Sequence, residues 1–432
     1  MSTWPSAAPG AAPGAASARR FVAPTLALSI ALASVYWALP EDLTAWRSAG
    51  IVAGWAGTGL LVASLLLMVR EARLARLLGG LELSYRWHHR CGLIAYLLLL
   101  CHPLALALDG WAEAPQLAWQ TLDPRAQSWP LWLGWAGLLL LMLGLASTFA
   151  VHLPYRRWRS FHFLLGGGVL LGLTHVYVLL GNEQLLLALL LIATLALGWR
   201  LLASDLGLSA HPYRVTQVEK PAAGVIEAAL APCAAALRLS PGQFVLAAFG
   251  DGPSFHGCGE YHPFTVSSID HQGRLRISVR ALGPCSRHIQ DVEAGVLVRL
   301  QGPFGSFLDD VRRAPQLWIA GGIGITPFIA ELRAQRCSQP TTLLYLYRHA
   351  ADALFLEELA AASREDAQFV LLTDASGSGL PDVDRLLAQV SGLRERQVHM
   401  CGPQPLLATL TAALRQRGVS AAAIHFESFD FR

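Results

Sequence analysis

Six long apolar segments fill the first half of this 432-residue chain and constrain its fold more than any other feature. They cover roughly residues 22–39, 49–69, 88–108, 131–150, 162–180 and 183–203. A helix of about 20 apolar residues spans the hydrocarbon core of a bilayer, and in lipid a helix satisfies its own backbone hydrogen bonds. Residues 21–204 are therefore predicted to form an all-α bundle of six transmembrane helices in a lipid bilayer.

Arginines are distributed unequally between the two ends of these segments. One side carries eleven of them: Arg19, Arg20, Arg70, Arg73, Arg76, Arg86, Arg90, Arg156, Arg157, Arg159 and Arg200. The other side carries only Arg47 and Arg125. Because positively charged loops stay in the cytoplasm, this asymmetry predicts a multi-pass protein with both termini cytoplasmic. Residues 1–20, rich in Ala, Pro and Gly, are predicted to be a disordered cytosolic tail.

Two of the apolar segments each contain a pair of histidines. His88 and His102 are fourteen residues apart in the third segment, and His162 and His175 are thirteen apart in the fifth. An imidazole is costly to bury in a bilayer, so an intramembrane histidine indicates a functional site, and histidine is a common axial ligand of haem iron. At about 1.5 Å per residue, each pair spans roughly 20 Å along its helix. Two such helices could hold two haems, one above the other, and so conduct electrons across the membrane.

The orientation of the segments places these four histidines. Both segments run from the cytoplasm outward, so His88 and His162 are predicted near the cytosolic face. His102 and His175 are then predicted near the outer face. His89 is the alternative to His88 as a ligand. The spacing of fourteen residues places His102 nearer to the helix face of His88 than the spacing of thirteen residues places it to the helix face of His89.

Composition gives no indication of several other classes of protein. Seven cysteines are scattered along the chain without a CxxC pair, so neither a zinc site, nor a disulfide framework, nor an iron–sulfur cluster is expected. The formal net charge is +3, and no basic run is interleaved with aromatic residues, so nucleic acid is not an expected partner. The histidine pairs are therefore the candidate metal site.

From about residue 207 the pattern changes to short segments separated by Gly and Pro, which is typical of β-strands. Strands are predicted at 212–230, 236–250 and 274–281, in an antiparallel barrel over residues 207–312. The segment from His262 to Ser268 and the turn from Gly283 to Ser286 bring hydroxyl groups and small residues to strand ends. Such groups can hydrogen-bond a flavin ring and a pyrophosphate.

Residues 313–432 alternate strands with helices. A buried strand at 317–320 leads into the glycine turn from Gly321 to Pro327, and a helix follows to about 337. Glycines let the backbone approach a pyrophosphate, and the helix N-terminus supplies N–H groups. Further strands are predicted at 342–347, 368–373 and 397–401. This order predicts a doubly wound α/β domain that binds a nucleotide at the carboxyl ends of its strands.

These features together resemble the NADPH oxidase and ferric reductase superfamily, from about residue 20 to 432. The resemblance rests on the histidine spacings and on four short motifs: His262-Pro263-Phe264-Thr265, Gly302-Pro303-Phe304-Gly305, Gly321 to Pro327, and Cys401-Gly402-Pro403. Glu427-Ser428-Phe429 is similar to the family's terminal aromatic segment. The sequence has no EF-hand and no long regulatory extension, which is typical of a bacterial, constitutively active member in the inner membrane.

The resemblance implies two haem b groups, FAD in a six-stranded barrel, and NADPH or NADH in the last domain. The implied haem ligands are His88, His102, His162 and His175. The implied FAD contacts are His262, Pro263, Phe264, Thr265, Ser267, Arg280, Gly283 and Ser286. The implied nicotinamide-nucleotide contacts are Gly321, Gly322, Gly324, Thr326, Pro327, Arg348, Cys401, Gly402 and Pro403, with Arg348 at the adenosine end and Cys401 near the nicotinamide. Phe429, or Phe431 as the alternative, would lie over the flavin and be displaced by the nicotinamide.

The implied reaction is transmembrane electron transfer from NAD(P)H, through FAD and two haems, to an outer acceptor. Oxygen, giving superoxide, and a ferric chelate both fit, and Arg348 alone does not distinguish NADPH from NADH. Pro284-Cys285 replaces an acidic-aromatic pair of the family, so the FAD contacts at that turn are the least defined. The alternative is a haem and flavin redox sensor, or an electron-transfer subunit for a partner protein that the sequence does not identify.

Overall fold

The computed structural model describes residues 21–38, 43–149, 153, 155–181, 184–375, 377 and 382–427. The chain divides between residues 206 and 207 into two compact units, a membrane unit and a reductase unit. Phe429 and its alternative Phe431 lie outside the described residues.

The described part of the membrane unit is built from helices. They are α1 (Val22–Ala38), α2 (Ala45–Leu67), α3 (Ala72–Leu77), α4 (Leu81–Glu113), α5 (Pro115–Leu122), α6 (Trp129–Phe149), α7 (Tyr155–Leu180) and α8 (Gln184–Gly198), with a π-helical turn at Trp199–Asp205. Among them α2, α4, α6 and α7, and α8 together with the π-helical turn (Gln184–Asp205), are long and apolar enough to cross a membrane. The first predicted span, α1, has 17 residues, which is at the lower limit of about 17 for a spanning helix.

The two histidine-bearing helices each pack along the long helix that precedes them, α4 along α2 and α7 along α6. Glycines allow this close approach, as small residues do in membrane bundles. A Cβ at Gly57 of α2 would lie 2.7 Å from Cγ of Leu99, and one at Gly168 of α7 would lie 3.0 Å from the carbonyl oxygen of Gly137. The membrane unit therefore contains two tight helix pairs, each with one candidate ligand helix.

The reductase unit begins with a closed antiparallel barrel, in the order β1-β2-β5-β4-β3-β6. Its strands are β1 (His211–Ala222), β2 (Val225–Pro232), β3 (Phe244–Phe249), β4 (His262–Ile269), β5 (Leu275–Arg280) and β6 (Leu297–Phe304), and a short helix, α9 (Pro284–His288), follows β5. The segment predicted as one strand at 212–230 is two strands, joined by a tight turn at Gly224 with φ of +67°. The predicted six-stranded barrel is confirmed.

A five-stranded parallel sheet follows, in the order β11-β10-β7-β8-β9. Its strands are β7 (Gln316–Gly321), β8 (Thr341–Tyr347), β9 (Phe369–Ala375), β10 (Gln397–Cys401) and β11 (Ile424–Glu427), and its helices are α10 (Thr326–Ala334), α11 (Leu356–Glu365), α12 (Val383–Ala388) and α13 (Gln404–Gln416). Successive residues of β7 lie in different apolar clusters, Leu317 in one and Trp318 in the other, so both faces of the sheet are covered. The predicted doubly wound nucleotide-binding domain is confirmed.

Candidate functional site

The four intramembrane histidines form two groups. The ring centroids of His88 on α4 and His162 on α7 are 6.0 Å apart, with an angle of 69° between the ring planes. An imidazole nitrogen binds zinc at about 2.0–2.1 Å, and at a similar distance two imidazoles on opposite sides of one iron would have centroids roughly 6 Å apart. His102 on α4 and His175 on α7 also interact electrostatically. We call His88 and His162 the first pair, and His102 and His175 the second pair.

Both histidines of the second pair donate from Nδ1 to a backbone carbonyl of the neighbouring helix. His102 donates to Gly50 of α2 over 2.7 Å, and His175 donates to Pro130 of α6 over 2.9 Å. Because a carbonyl oxygen only accepts, Nδ1 carries the proton, and Nε2 of the neutral ring keeps its lone pair. Metal-binding histidines are commonly fixed in this way, which leaves one nitrogen directed at the metal.

A glycine faces each imidazole of the second pair, four residues after the carbonyl that holds it. A Cβ at Gly54 would lie 2.8 Å from Nδ1 of His102. A Cβ at Gly134 would lie 3.1 Å from three atoms of the His175 ring. The two helix pairs therefore repeat one arrangement, in which residue i accepts from the imidazole and residue i+4 makes room for it.

The first pair is held differently. His88 donates from Nδ1 to the carbonyl of Ser64 over 2.9 Å, and the Ser64 hydroxyl lies 2.8 Å from the same nitrogen and donates to the His88 carbonyl over 3.2 Å. His162 has a buried Nδ1 without a hydrogen-bond partner among the described residues, and Trp158 stacks on its ring at 4.8 Å. His89 is exposed, and its Nδ1 bonds the Tyr85 carbonyl of its own helix. The geometry therefore favours His88 over His89 as the ligand.

Buried positive charge lies beside the first pair. Arg200 interacts electrostatically with both His88 and His162, and its side chain is 14% exposed. It forms an ion pair with Asp205 at 3.2 Å, and Arg70 donates to the Tyr85 hydroxyl over 2.6 Å. The sequence indicates both arginines only as residues of the cytosolic side. The structure shows Arg200 next to the first pair, where its guanidinium is suited to an anionic group.

In the reductase unit, the flavin motif lies on β4 and contains an unsatisfied hydroxyl. Thr265 is buried, and its Oγ1 has no hydrogen-bond partner among the described residues. Leaving a buried hydroxyl unpaired costs about 1–3 kcal/mol, so this atom fits a ligand that would complete the bond. Ser267 differs, because its hydroxyl donates to Glu227 over 2.6 Å within the protein.

The predicted pyrophosphate residues lie where the barrel meets the parallel sheet. The Ser286 hydroxyl accepts from the backbone N–H groups of Leu282 and Gly283, both over 2.9 Å, and so fixes the turn that enters α9. Arg280 ends β5, and a Cβ at Gly322 would lie 3.2 Å from its Nη1. The structure thus brings the arginine predicted to bind FAD next to the glycine turn predicted to bind the nicotinamide nucleotide.

Three of the predicted nucleotide residues lie at neighbouring strand ends. Gly321, Arg348 and Cys401 end or follow β7, β8 and β10, which are adjacent in the sheet. A Cβ at Gly324 would overlap the carbonyl oxygen of Cys401, so this glycine is required by the approach of the two strand ends. Cys401 is 1% exposed, and burial raises the pKa of its thiol well above the usual value. The thiol is therefore protonated at neutral pH.

Residues at the start of α10 and just before α13 also contact or flank the glycine turn. Thr326 donates from its hydroxyl to the Ile323 carbonyl over 3.1 Å, and Pro327 occupies the first turn of α10. Gly402 lies against Gly321, where a Cβ would be 3.2 Å from the Gly321 Cα, and Pro403 precedes α13. These contacts give the turn a defined shape at the carboxyl edge, where such folds bind ligands.

A buried ion network that sequence analysis missed connects the barrel to the sheet. Arg333 of α10 pairs with Glu227 of β2 at 2.8 Å and with Glu358 of α11 at 2.7 Å. Burial raises the pKa of Glu227, but its bonds to Arg333, Ser267 and Arg276 outweigh burial and lower it. The network connects β2 and β4 to α10 and α11, and the signal that could have indicated it is Glu227, the single charged residue of the apolar strand β2.

Known proteins match each half of the chain. Residues 53–173 match the family model "Ferric reductase like transmembrane component". An NADPH oxidoreductase of Mycobacterium tuberculosis is 32% identical over 201 residues, which are 44% of this chain and 52% of the relative. The toluate 1,2-dioxygenase electron transfer component of Pseudomonas putida is 26% identical over 206 residues, which are 45% of this chain and 59% of the relative.

Among solved structures, the FAD/NAD-binding domain of a nitric oxide dioxygenase from Vibrio cholerae is 22% identical, with a TM-score of 0.44, and the match covers 50% of this chain and 97% of that domain. The chain spans about half the length of the curated relatives it matches. Its apolar helices and the ferric reductase-like match are those of a multi-pass membrane protein, and its second half is similar to FAD- and NAD(P)H-dependent reductases. The chain thus joins a ferric reductase-like transmembrane component to a ferredoxin reductase-like part, and the resemblance to the NADPH oxidase and ferric reductase superfamily is confirmed.

Proposed function

We propose that this protein carries electrons from cytosolic NAD(P)H through FAD and two bis-histidine haems to an acceptor beyond the membrane. The acceptor is oxygen, which gives superoxide, or a ferric chelate. The observation that carries the proposal is the fixed tautomer of His88, His102 and His175, each of which donates from Nδ1 to a carbonyl and so presents Nε2 to a metal.

The chain supplies ligands and orientation, and the cofactors supply the redox chemistry. FAD bound in the barrel would convert a two-electron hydride donor into one-electron steps, and haems held by the two histidine pairs would accept single electrons. In the reductase unit, Thr265 has a buried hydroxyl available to the flavin, while Arg280 provides positive charge for a pyrophosphate. In the membrane unit, histidine on both sides of each iron would leave no coordination position open, so the acceptor would be reduced without binding iron.

A surface cavity near the second pair is suited to receive the acceptor. Its volume is about 270 Å³, and it is lined by Pro124, Arg125, Trp132 and Trp135. The cavity lies next to the turn of α6 whose Pro130 carbonyl holds His175. Its lining combines two indole rings with Arg125, whose guanidinium also pairs with Asp123, and this favours a planar acceptor such as a ferric chelate, but oxygen needs no such site.

The test is an optical spectrum of the full chain in detergent, before and after NADPH is added without oxygen. We expect a sharp Soret band that shifts on reduction and a flavin band that bleaches. Oxygen or a ferric chelate is then added separately, and the reoxidation rate identifies the preferred acceptor. Protein that stays free of haem after reconstitution would contradict the proposal, and a flavin that bleaches without haem reduction would contradict the transmembrane path.

A further inference from the structure

A cluster of metal-binding side chains lies at the flavin motif of the reductase unit. Sγ of Cys258, Nε2 of His262 and Sγ of Cys285 all lie within 4.8 Å of one another, and all three residues are partly buried. Sequence analysis expected no zinc site because the cysteines form no CxxC pair. The fold brings Cys285 from the start of α9 to the segment just before β4.

The measured separations are close to those of a tetrahedral metal site. Cys258 Sγ is 3.9 Å from His262 Nε2. The Glu260 carboxylate is 3.8 Å from His262 Nε2 and 3.6 Å from Cys285 Sγ. In a tetrahedral zinc site, with Zn–S of about 2.3 Å and Zn–N of about 2.0 Å, neighbouring ligand atoms are roughly 3.3–3.8 Å apart. The two sulfur atoms lie within 4.8 Å of one another, so a contraction of at most about 1 Å would bring the cluster to that geometry.

We propose that Cys258, His262 and Cys285 bind a thiophilic divalent cation of the zinc type, with Glu260 or water in the fourth position. Two thiolates and an imidazole select zinc over the hard cations magnesium and calcium. Since His262 also belongs to the proposed flavin motif, metal binding and FAD binding at this edge exclude one another. The mutual exclusion of metal and FAD rests on the proposed function, whereas the metal site itself does not.

The experiment is a zinc titration of the reduced full chain in detergent, after its haem and flavin contents have been measured and the flavin removed, in competition with a chromophoric chelator. We expect one tight equivalent of zinc, bound about 100-fold more weakly in Cys258→Ser and in Cys285→Ser. Cys233→Ser is the matched control, because Cys233 is an exposed thiol of the same barrel, and it should bind zinc as the wild type does. Cobalt in place of zinc should give a thiolate charge-transfer band that both ligand variants weaken.

Haem and flavin contents show whether each variant is folded, so failure of this site is distinguishable from failure of the proposed electron transfer. Equal zinc binding in all three variants, or no stoichiometric zinc in the reduced wild type, would overturn the site. Added FAD should weaken zinc binding to the wild type. Zinc binding that is unaffected by saturating FAD would overturn the mutual exclusion.

Discussion

The two histidine pairs use the same residue type but are positioned by different contacts. In the second pair both rings donate to carbonyls of the preceding helix, and a glycine faces each ring. In the first pair His88 is held by a serine, whereas His162 is held by the stacking of Trp158 and has a buried Nδ1 without a described partner. The second pair is therefore the more completely preorganised for a metal, and the first pair depends more on side chains.

Removing a ligand should have the largest effect. We expect His88→Ala or His162→Ala to abolish one haem, and His102→Ala or His175→Ala to abolish the other, because a haem with one axial histidine is released more easily. Haem per chain, measured as the pyridine haemochrome, should fall from two to one. His89→Ala is the control and should keep both haems, since the His89 ring is exposed and bonds the Tyr85 carbonyl of its own helix, although it lies 5.5 Å from the His88 ring. Two haems in all four ligand variants would contradict the model.

Filling the space at the second pair should have the next largest effect. Gly54→Ala and Gly134→Ala each place a methyl group against an imidazole, at 2.8 and 3.1 Å, so Gly54→Ala should lose more of the second haem. Alanine otherwise stabilises a helix interior by about 1 kcal/mol relative to glycine, so lower haem content would come from the imidazole contact. Gly172→Ala, with open space around its Cβ position, should keep both haems. Equal haem content in all three variants would show that the glycines do not position the ligands.

Loosening the first pair through Trp158 should have a moderate effect. Trp158→Leu removes the ring stacked on His162 at 4.8 Å, so we expect haem affinity at the first pair to fall about 10-fold while the second pair keeps its haem. Haem release to an apo-acceptor protein, followed by absorbance, measures the two sites separately as a fast and a slow phase. Trp119→Leu is the control, because Trp119 is 69% exposed. A faster release from both sites would mean that Trp158 stabilises the bundle rather than one ligand.

The sequence was sufficient for the parts of this protein that depend on local pattern. Apolar length predicted the spans, histidine spacing predicted the pairs, and the glycine turn after β7 predicted the nucleotide domain. β6 was missed because Gly302 and Pro303 interrupt its pattern, and a proline within a strand is unusual. β11 was missed because it has only four residues.

The partners of the candidate ligands could not be predicted, and the reason is physical. Gly50 and Pro130 act through backbone carbonyls, which every residue has, so the sequence carries no signal for them. Cys258 and Cys285 are far apart in the chain, and only the closure of the barrel brings their sulfur atoms together. The sequence identifies residues that carry chemistry on their side chains, whereas backbone acceptors and long-range clusters require the fold.

The smallest effect is expected from removing the Ser64 hydroxyl. This change tests most directly how the first histidine pair differs from the second. Ser64→Ala removes the hydroxyl near Nδ1 of His88 but keeps the carbonyl at 2.9 Å, so both haems should remain bound. A hydrogen bond at Nδ1–H makes an imidazole a stronger donor and favours ferric iron, so its loss should raise the midpoint potential of one haem. Ser34→Ala is the control, because that hydroxyl donates to the Ile30 carbonyl of its own helix over 2.8 Å. A redox titration that shows one haem shifted upward in Ser64→Ala, and neither in Ser34→Ala, would assign that potential to the first pair. Loss of haem in Ser64→Ala would instead mean that the carbonyl alone does not hold His88, and that the first pair depends on its serine as fully as the second pair depends on its carbonyls.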